Sequence, residues 1–315
     1  MTTRIQTWSG RAVAIAGAWL TGIAIVGPLG GIAARTQDKA DSPTKPNAVE
    51  TRTYRLTTRS ELLIQAAGQP EQTVKADAVI DHRFRIQPDP AQGRSRVEVI
   101  VDRLEVAMSG TGTPESDLTT RLDSGALTVV QGGETRTLKR DDMPEAQQRM
   151  LDDFGQVLAV LTLDARGREL RREVKLKTGV LAENDQLDNV RAVHVPFPAD
   201  QASWKAPVRL SMGGGRVAQG ELTFTKTVVA DAKPGQPINV EVAGVLTAPP
   251  ESGRIEIKSA EYRVKGAQTY DPARSAWTDA VWTIDMNVAM VAETKPLNAS
   301  GTVVIRLESQ NDSDK

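Results

Sequence analysis

The sequence predicts a mainly β protein, an antiparallel curved sheet or half-barrel with one short α-helix near residues 143–154 and a hydrophobic N-terminal helix. Three observations support this fold class. Apolar and polar residues alternate along most of the chain, which is the pattern of half-buried strands. Short clusters of Gly, Pro and Asp separate the alternating segments. Strand and helix patterns do not follow one another regularly, so a parallel sheet with crossover helices is not expected.

The N-terminal segment has the pattern of an export signal. Residues 12–34 contain no charged side chain, and Arg4 and Arg11 precede them. The strongly apolar part, residues 12–26, suits a signal-peptide core better than a membrane-spanning helix, which needs about 20 residues. The whole uncharged stretch could instead remain as an anchor with the C-terminus outside the membrane. We therefore expect residues 1–34 to be a signal peptide or a membrane anchor.

The rest of the chain divides by composition. Residues 35–52 are polar, include two prolines and lack apolar periodicity, which is typical of a flexible linker. Two β-rich subdomains, 53–190 and 191–308, are expected to follow, with one continuous β domain as the alternative. Residues 309–315 are expected to form a disordered tail.

Alternation and turn signals place the strands in chain order. A turn that begins at Asp164 separates two strand-like segments and predicts a hairpin. Glycines from Gly213 and prolines from Pro249 mark two further turns. The longest alternation runs from Trp282 to Met290 and predicts a half-buried strand. The other strand-like segments are 97–101, 157–163, 169–176, 208–212, 217–226, 238–242, 255–257 and 303–307.

One segment departs from the alternation and predicts the helix at 143–154. Asp141 or Asp142 can serve as its N-cap, and Pro144 suits a first helical turn. The apolar residues of this region recur at helical spacing, at positions 143, 150, 151, 154 and 158.

Composition excludes several chemistries. The chain has no cysteine and two histidines, His82 and His194, so it cannot form a Cys/His zinc site, an iron–sulfur site or a disulfide. A net charge of −1 and 4% aromatic residues argue against nucleic-acid binding. Each histidine is expected to be a surface or half-buried strand residue. We expect no cofactor, no metal and no enzymatic activity.

One strand face is the candidate site. Trp282, Ile284, Met286, Val288 and Met290 share a face by alternation, and Trp277 lies close to them in sequence. In a curved sheet such a face could line a cavity for an apolar ligand, and methionine adapts to varied ligand shapes. The alternative is that the face is simply part of the core.

The last third of the chain resembles uncharacterised exported bacterial proteins of planctomycete-like genomes. The residues concerned are 195–198 with Trp204, the glycines from Gly213, and the segment 265–271. The wider architecture resembles the lipoprotein-carrier half-barrels, in which strands curl over a helix. That resemblance implies a fold and carries no catalytic residues to this chain.

Together these patterns lead to a functional expectation. We expect an exported cell-envelope protein, periplasmic or otherwise extracytoplasmic, that binds a partner or an apolar ligand through its curved sheet. One alternative is a structural or assembly protein that is tethered to the membrane by residues 12–34. A second, less favoured alternative is a hydrolase of envelope polymers, which would need a deep pocket with His82 or His194 beside two acids.

Overall fold

The computed structural model describes residues 49–66, 68, 70–110, 118–164, 169–175, 197–213, 216–227, 235–250, 255–274, 276–292 and 295–310. The expected signal or anchor helix at 1–34 and the expected subdomain boundary at 190–191 lie outside these residues. So do His194 and most of the three predicted turns.

Fourteen antiparallel strands in the described residues form one sheet. In the first part of the chain they are β1 (Glu50–Ala66), β2 (Gln72–Asp89), β3 (Arg94–Gly110), β4 (Leu118–Asp123), β5 (Ala126–Gln131), β6 (Glu134–Lys139), β7 (Val157–Asp164) and β8 (Glu169–Val174). In the second part they are β9 (Ser203–Gly213), β10 (Arg216–Lys226), β11 (Ile238–Ala248), β12 (Ile255–Asp271), β13 (Ala276–Ala292) and β14 (Lys295–Gln310). The predicted antiparallel class is confirmed.

Two strand ends differ from the sequence-based boundaries. β1 begins at Glu50, inside the segment expected to be a linker. β14 continues to Gln310, two residues into the expected tail. The end of β14 pairs with β1, at Thr53↔Gln310. The first residues of β1 pair instead with β2, beginning at Glu50↔Ile86. A polar end segment gives no hint of a partner that lies at the far end of the chain.

The strand order explains how the sheet is assembled. It runs β6-β5-β4-β3-β2-β1-β14-β13-β12-β11-β10-β9, so the first and last strands meet in the middle. β3 carries a branch, since Arg94–Ile100 pairs with β7 and Arg103–Met108 pairs with β4. A register shift between β2 and β3 leaves Asp102 without an opposite residue at this branch point.

The core lies on one face of the sheet, which we call the inner face. Alternate residues of the long strands are almost fully buried there and form one continuous apolar cluster, from Tyr54 on β1 to Leu307 on β14. The described residues outside the strands include little that could cover so wide a surface. The sheet therefore curls, so that different parts of its inner face bury one another.

The predicted helix is shorter than the sequence indicated. A 3-10 turn occupies Arg140–Asp142, and the α-helix, α1, spans Glu145–Leu151 with Pro144 at its N-cap position. Asp141 and Asp142 therefore lie in the turn and do not cap the helix. The segment leaves helical structure after Leu151 and passes through Gly155, whose φ of 76° favours glycine.

No helix among the described residues is long and apolar enough to cross a membrane.

Candidate functional site

The structure places the predicted apolar face on the inner side of β13. Trp282, Ile284, Met286, Val288 and Met290 alternate along this strand, and each is at most 5% exposed. They belong to the continuous core, with β12 on one side of them and β14 on the other. Their role in ligand binding stays a prediction, since both a packed core and an enclosed ligand site consist of buried apolar side chains.

Trp277 lies on the inner face because of an irregularity in strand pairing and not because of simple alternation. Its position is an odd number of residues from Trp282, so strict alternation would point it outward. The pairing of β12 with β13 shifts register here, with Thr269 opposite Asp279 and Tyr270 opposite Trp277. This irregularity brings Trp277 to the face that Tyr270 occupies, where it is fully buried.

An aromatic cluster closes this end of the inner face. The Phe197 ring stacks on Tyr270 with centroids 4.0 Å apart and lies edge-on to Trp277 and Trp204. Trp204 in turn stacks on Phe224 at 5.4 Å. This cluster could not be predicted from sequence, because its members come from β9, β10, β12, β13 and the segment before β9.

Lys226 covers the outer side of the aromatic cluster. Its ammonium group lies 4.6 Å from the Phe197 ring centroid and donates hydrogen bonds to the carbonyl oxygens of Pro198 and Ala199. Burial lowers the pKa of this amine, and the nearby Asp200 carboxylate opposes the shift. The lysine therefore fixes the Phe197 segment over the end of the sheet.

A few polar side chains interrupt the inner face. Thr58 and Ser60 lie on β1 and Gln268 lies on β12, and all three are buried. The Ser60 hydroxyl donates to the carbonyl oxygen of Ala76 at 3.1 Å. Within the described residues, by contrast, the Thr58 hydroxyl, both amide atoms of Gln268 and the indole nitrogen of Trp282 have no hydrogen-bond partner.

Glycines on the inner face allow neighbouring strands to approach closely. A Cβ at Gly266 would lie 2.2 Å from the carbonyl oxygen of Val281, and one at Gly301 would lie 2.1 Å from that of Glu61. The Trp282 ring covers Gly266, since its Cδ1 lies 3.0 Å from the same Cβ position. Such glycines permit the strong bending that a curled sheet requires.

A second aromatic group lies on β1 and β2, near the same ends of the strands. His82 is buried between Tyr54 and Phe84, with ring centroids 5.7 and 5.2 Å away. The expectation that His82 is a surface or half-buried residue is therefore wrong. The sequence alternation indicates that His82 is buried, because it is separated by even numbers of residues from the apolar, buried Phe84 and Ile86.

A cavity of about 600 Å³ is lined by residues of β1 to β5 and of the turn after β5. Charged side chains that pair with each other contribute to its wall, with Arg59 3.2 Å from Asp77 and Lys75 3.3 Å from Glu61. The six residues of the predicted apolar face and His82 are absent from its lining. In the part of the chain that the structure describes, no three His, Asp or Glu side chains converge as a metal site requires.

Comparisons with known proteins give distant structural similarities. No family model and no curated protein matches the chain. A lipovitellin structure that concerns lipid–protein interactions aligns with 82% of this chain at 6% identity and a TM-score of 0.39, and the chain spans about a quarter of that protein. An outer membrane channel from Pseudomonas putida F1 aligns with 86% of this chain and all of its own, at 10% identity and a TM-score of 0.24.

A third similar structure is a LolA superfamily protein from Nitrosomonas europaea. It aligns with 83% of this chain and 88% of its own, at 8% identity and a TM-score of 0.17. Carrier half-barrels are the class to which the architecture was compared above, whereas nothing in these comparisons supports the resemblance to planctomycete-like exported proteins. At such TM-scores the similarities define no shared fold.

Proposed function

We propose that this chain is a non-enzymatic cell-envelope protein that binds an apolar, acyl-chain-like ligand against the inner face of its curled sheet. The observation that carries the proposal is the continuous apolar inner face, which extends across nearly all strands and includes the whole length of β13. A long flexible hydrocarbon chain is the ligand that such a face complements, because apolar contact is non-directional and follows buried area.

The edges of the sheet support the proposal. Within the described residues, β9 pairs only with β10 and β6 pairs only with β5, so no hydrogen bonds join the two ends of the strand order. The curl is therefore held together across its interior by apolar side-chain packing. Contacts of this kind can separate and re-form around a ligand more readily than a closed ladder of backbone hydrogen bonds.

The inner face becomes more open toward one edge, which supports a route for the ligand. The inner-face residues of β1, β2, β13 and β14 are almost fully buried. Toward the β3–β5 edge, several residues of the same face are half-buried, namely Met108, Leu118, Thr120 and Leu127. The uncharged stretch 12–34 adds the expected envelope location, where acyl chains are abundant.

Native mass spectrometry of the full-length protein, purified from envelope and total-cell fractions, tests the proposal. We expect a bound species whose mass matches a lipid, released by organic extraction and identified from the extract. The variant Met286→Gln places an amide in the inner face and should lower ligand occupancy. The matched change on the outer side of the same strand, Asn287→Gln, should leave occupancy unchanged.

Two outcomes would contradict this function. The first is wild-type protein that carries no lipid and binds none when it is incubated with mixed micelles of extracted lipid. The second is equal occupancy in Met286→Gln and Asn287→Gln, with both variants folded by circular dichroism.

A further inference from the structure

We propose that the inner face contains a subsite for the neutral polar group of an amphipathic lipid, formed by the Trp282 indole, the Gln268 amide and the Thr58 hydroxyl. The inference rests on the proposed apolar-ligand function and adds the chemistry of the ligand's polar end. The ligand class is a neutral acyl ester or acylated alcohol, such as a monoacylglycerol.

The three side chains are buried, and their polar atoms lack hydrogen-bond partners in the described residues. Thr58 is 0% exposed, Gln268 1% and Trp282 1%. A buried polar group without a partner costs free energy, and folded proteins satisfy nearly all such groups. A ligand that supplies the missing partners would recover this cost on binding.

Ser60 is a buried hydroxyl on the same strand that does have a hydrogen-bond partner. It lies two residues from Thr58 on β1, on the same inner face, and is also buried. Its hydroxyl donates to the carbonyl oxygen of Ala76 on the neighbouring strand. The sheet can therefore satisfy a buried hydroxyl on this face of β1, yet it leaves the hydroxyl of Thr58 unsatisfied.

The strand register brings the three groups to one region. Trp282 is opposite Gly266 on β12, and Gln268 lies two residues further along that strand on the same face. The indole edge that carries the N–H lies over β12, because Cδ1, the atom bonded to Nε1, is 3.0 Å from the Cβ position of Gly266. The N–H of Trp282 therefore lies on the β12 side of the indole ring, and β12 is the strand that carries Gln268.

Thr58 lies on the other side of Trp282. It is opposite Ile305 on β14, which is itself opposite Trp282. Two strand spacings separate Thr58 from Trp282, or roughly 10 Å along the sheet. Gln268 lies one strand further away, roughly 15 Å from Thr58 along the sheet. The ester carbonyl of a monoacylglycerol would therefore contact the groups at one end of this span, and its glycerol hydroxyls those at the other.

The donor and acceptor inventory defines the chemistry of the ligand. Trp282 can only donate, whereas Gln268 and Thr58 can each donate and accept. The inner-face neighbours Ile305, Ala280 and Val264 are apolar and buried, so no charge is supplied there. An ionised phosphate or carboxylate would be buried without a counter-charge, which is strongly unfavourable. Ester carbonyls and hydroxyls, by contrast, provide neutral acceptors and donors.

Displacement of the neutral fluorescent probe N-phenyl-1-naphthylamine from the full-length protein tests the inference. Three C18 competitors differ in their polar end: monoolein, oleate at alkaline pH and octadecene. We expect monoolein to displace the probe at three- to tenfold lower concentration than octadecene, the range for one neutral hydrogen bond. Oleate should be weaker than monoolein.

Three near-isosteric variants remove the polar atoms individually: Thr58→Val, Gln268→Leu and Trp282→Phe. Each should reduce the preference for monoolein over octadecene at least threefold, with octadecene affinity retained. Thr58→Val and Gln268→Leu should also raise the urea midpoint of the ligand-free protein or leave it unchanged, because they remove unsatisfied buried groups. The control Ser60→Ala loses a made hydrogen bond, so it should lower the midpoint and keep the preference.

The outcomes separate the two proposals. Equal displacement by monoolein and octadecene would overturn the subsite and leave the apolar-ligand function standing. An unchanged monoolein preference in all three variants would do the same. If the probe does not bind and no competitor is retained by the protein, the apolar-ligand function fails and the subsite fails with it.

Discussion

At the scale of single residues, the inner face depends on small side chains as much as on large ones. Gly220, Gly244, Gly266 and Gly301 lie in strand interiors, where glycine normally weakens a sheet. At each of them a Cβ would come within 2.8 Å of a backbone atom of the neighbouring strand. The close approach permits the bend, and a leucine or tryptophan of the next strand covers each glycine.

Gly301→Ala tests this role for glycine. The added Cβ would lie 2.1 Å from the carbonyl oxygen of Glu61, so β1 or β14 must shift. We expect a loss of about 2–4 kcal/mol in the free energy of unfolding, measured by urea denaturation. Gly125→Ala is the control, because its Cβ would meet its nearest atom at an ordinary 3.5 Å. Equal stability of the two variants would contradict this account of the bend.

Tyr54 gives a prediction for the pH dependence of stability. Burial raises the pKa of its hydroxyl, and the adjacent Arg52 guanidinium partly opposes the shift. The raised folded-state pKa favours the neutral form, so its stabilising effect is complete below the unfolded value of about 10 and is lost as the pH rises through the folded-state value. Tyr54→Phe should therefore lose less stability than wild type between about pH 9 and 11.

Urea denaturation across this pH range measures the effect. Phe84→Leu is the control, since it alters a ring in contact with Tyr54 without changing an ionisable group. This control should keep the wild-type slope of stability against pH. The interpretation is wrong if Tyr54→Phe also follows the wild-type slope.

At the scale of elements, alternation predicted strands well because side-chain direction has a period of two on any strand. It predicted the shared face of Trp282 to Met290, which the structure places on the inner side of β13. Alternation failed at Trp277, because the register of β12 and β13 shifts there. At His82 the alternation with Phe84 and Ile86 indicated burial, whereas a surface or half-buried position was expected. The helix was predicted too long, since apolar spacing continues past Leu151 into a turn and then β7.

Other features could not be read from local sequence. The β1–β14 pairing joins segments from opposite ends of the chain, and alternation gives no information on which strands become neighbours. The unsatisfied polar atoms of Thr58, Gln268 and Trp282 have the same origin. Each is an ordinary strand residue in sequence, and its lack of a hydrogen-bond partner is seen only in the folded chain.

The edge strand β9 gives a prediction on self-association. Pro207 is exposed in the middle of this strand and has no N–H to offer to an added strand. Pro207→Thr should therefore promote edge-to-edge association, detected by sedimentation velocity over a range of protein concentrations. Lys205→Thr, which leaves the proline in place, should remain closer to wild type. Pro207→Thr with wild-type sedimentation would show that the proline does not protect this edge.

At the scale of the whole molecule, the continuous sheet favours one cooperative unit over two separable subdomains. β1 and β14 join the two halves along fourteen opposed residues, from Thr53 to Ala66 on β1. In a chain with Trp8→Phe and Trp19→Phe, fluorescence would report β9 and β13 through the remaining tryptophans, and far-UV circular dichroism would report all strands. We expect the two urea transitions to coincide. Separate midpoints would instead support two subdomains.

The central claim is that an acyl chain binds against the inner face beside Trp282. The most direct test is quenching of tryptophan fluorescence by a monoacylglycerol brominated on its acyl chain, in the same Trp8→Phe, Trp19→Phe background. We predict saturable quenching that the unbrominated lipid does not cause, and most of it should disappear in Trp282→Phe. Absence of saturable quenching, or quenching that Trp282→Phe leaves unchanged, would contradict the claim.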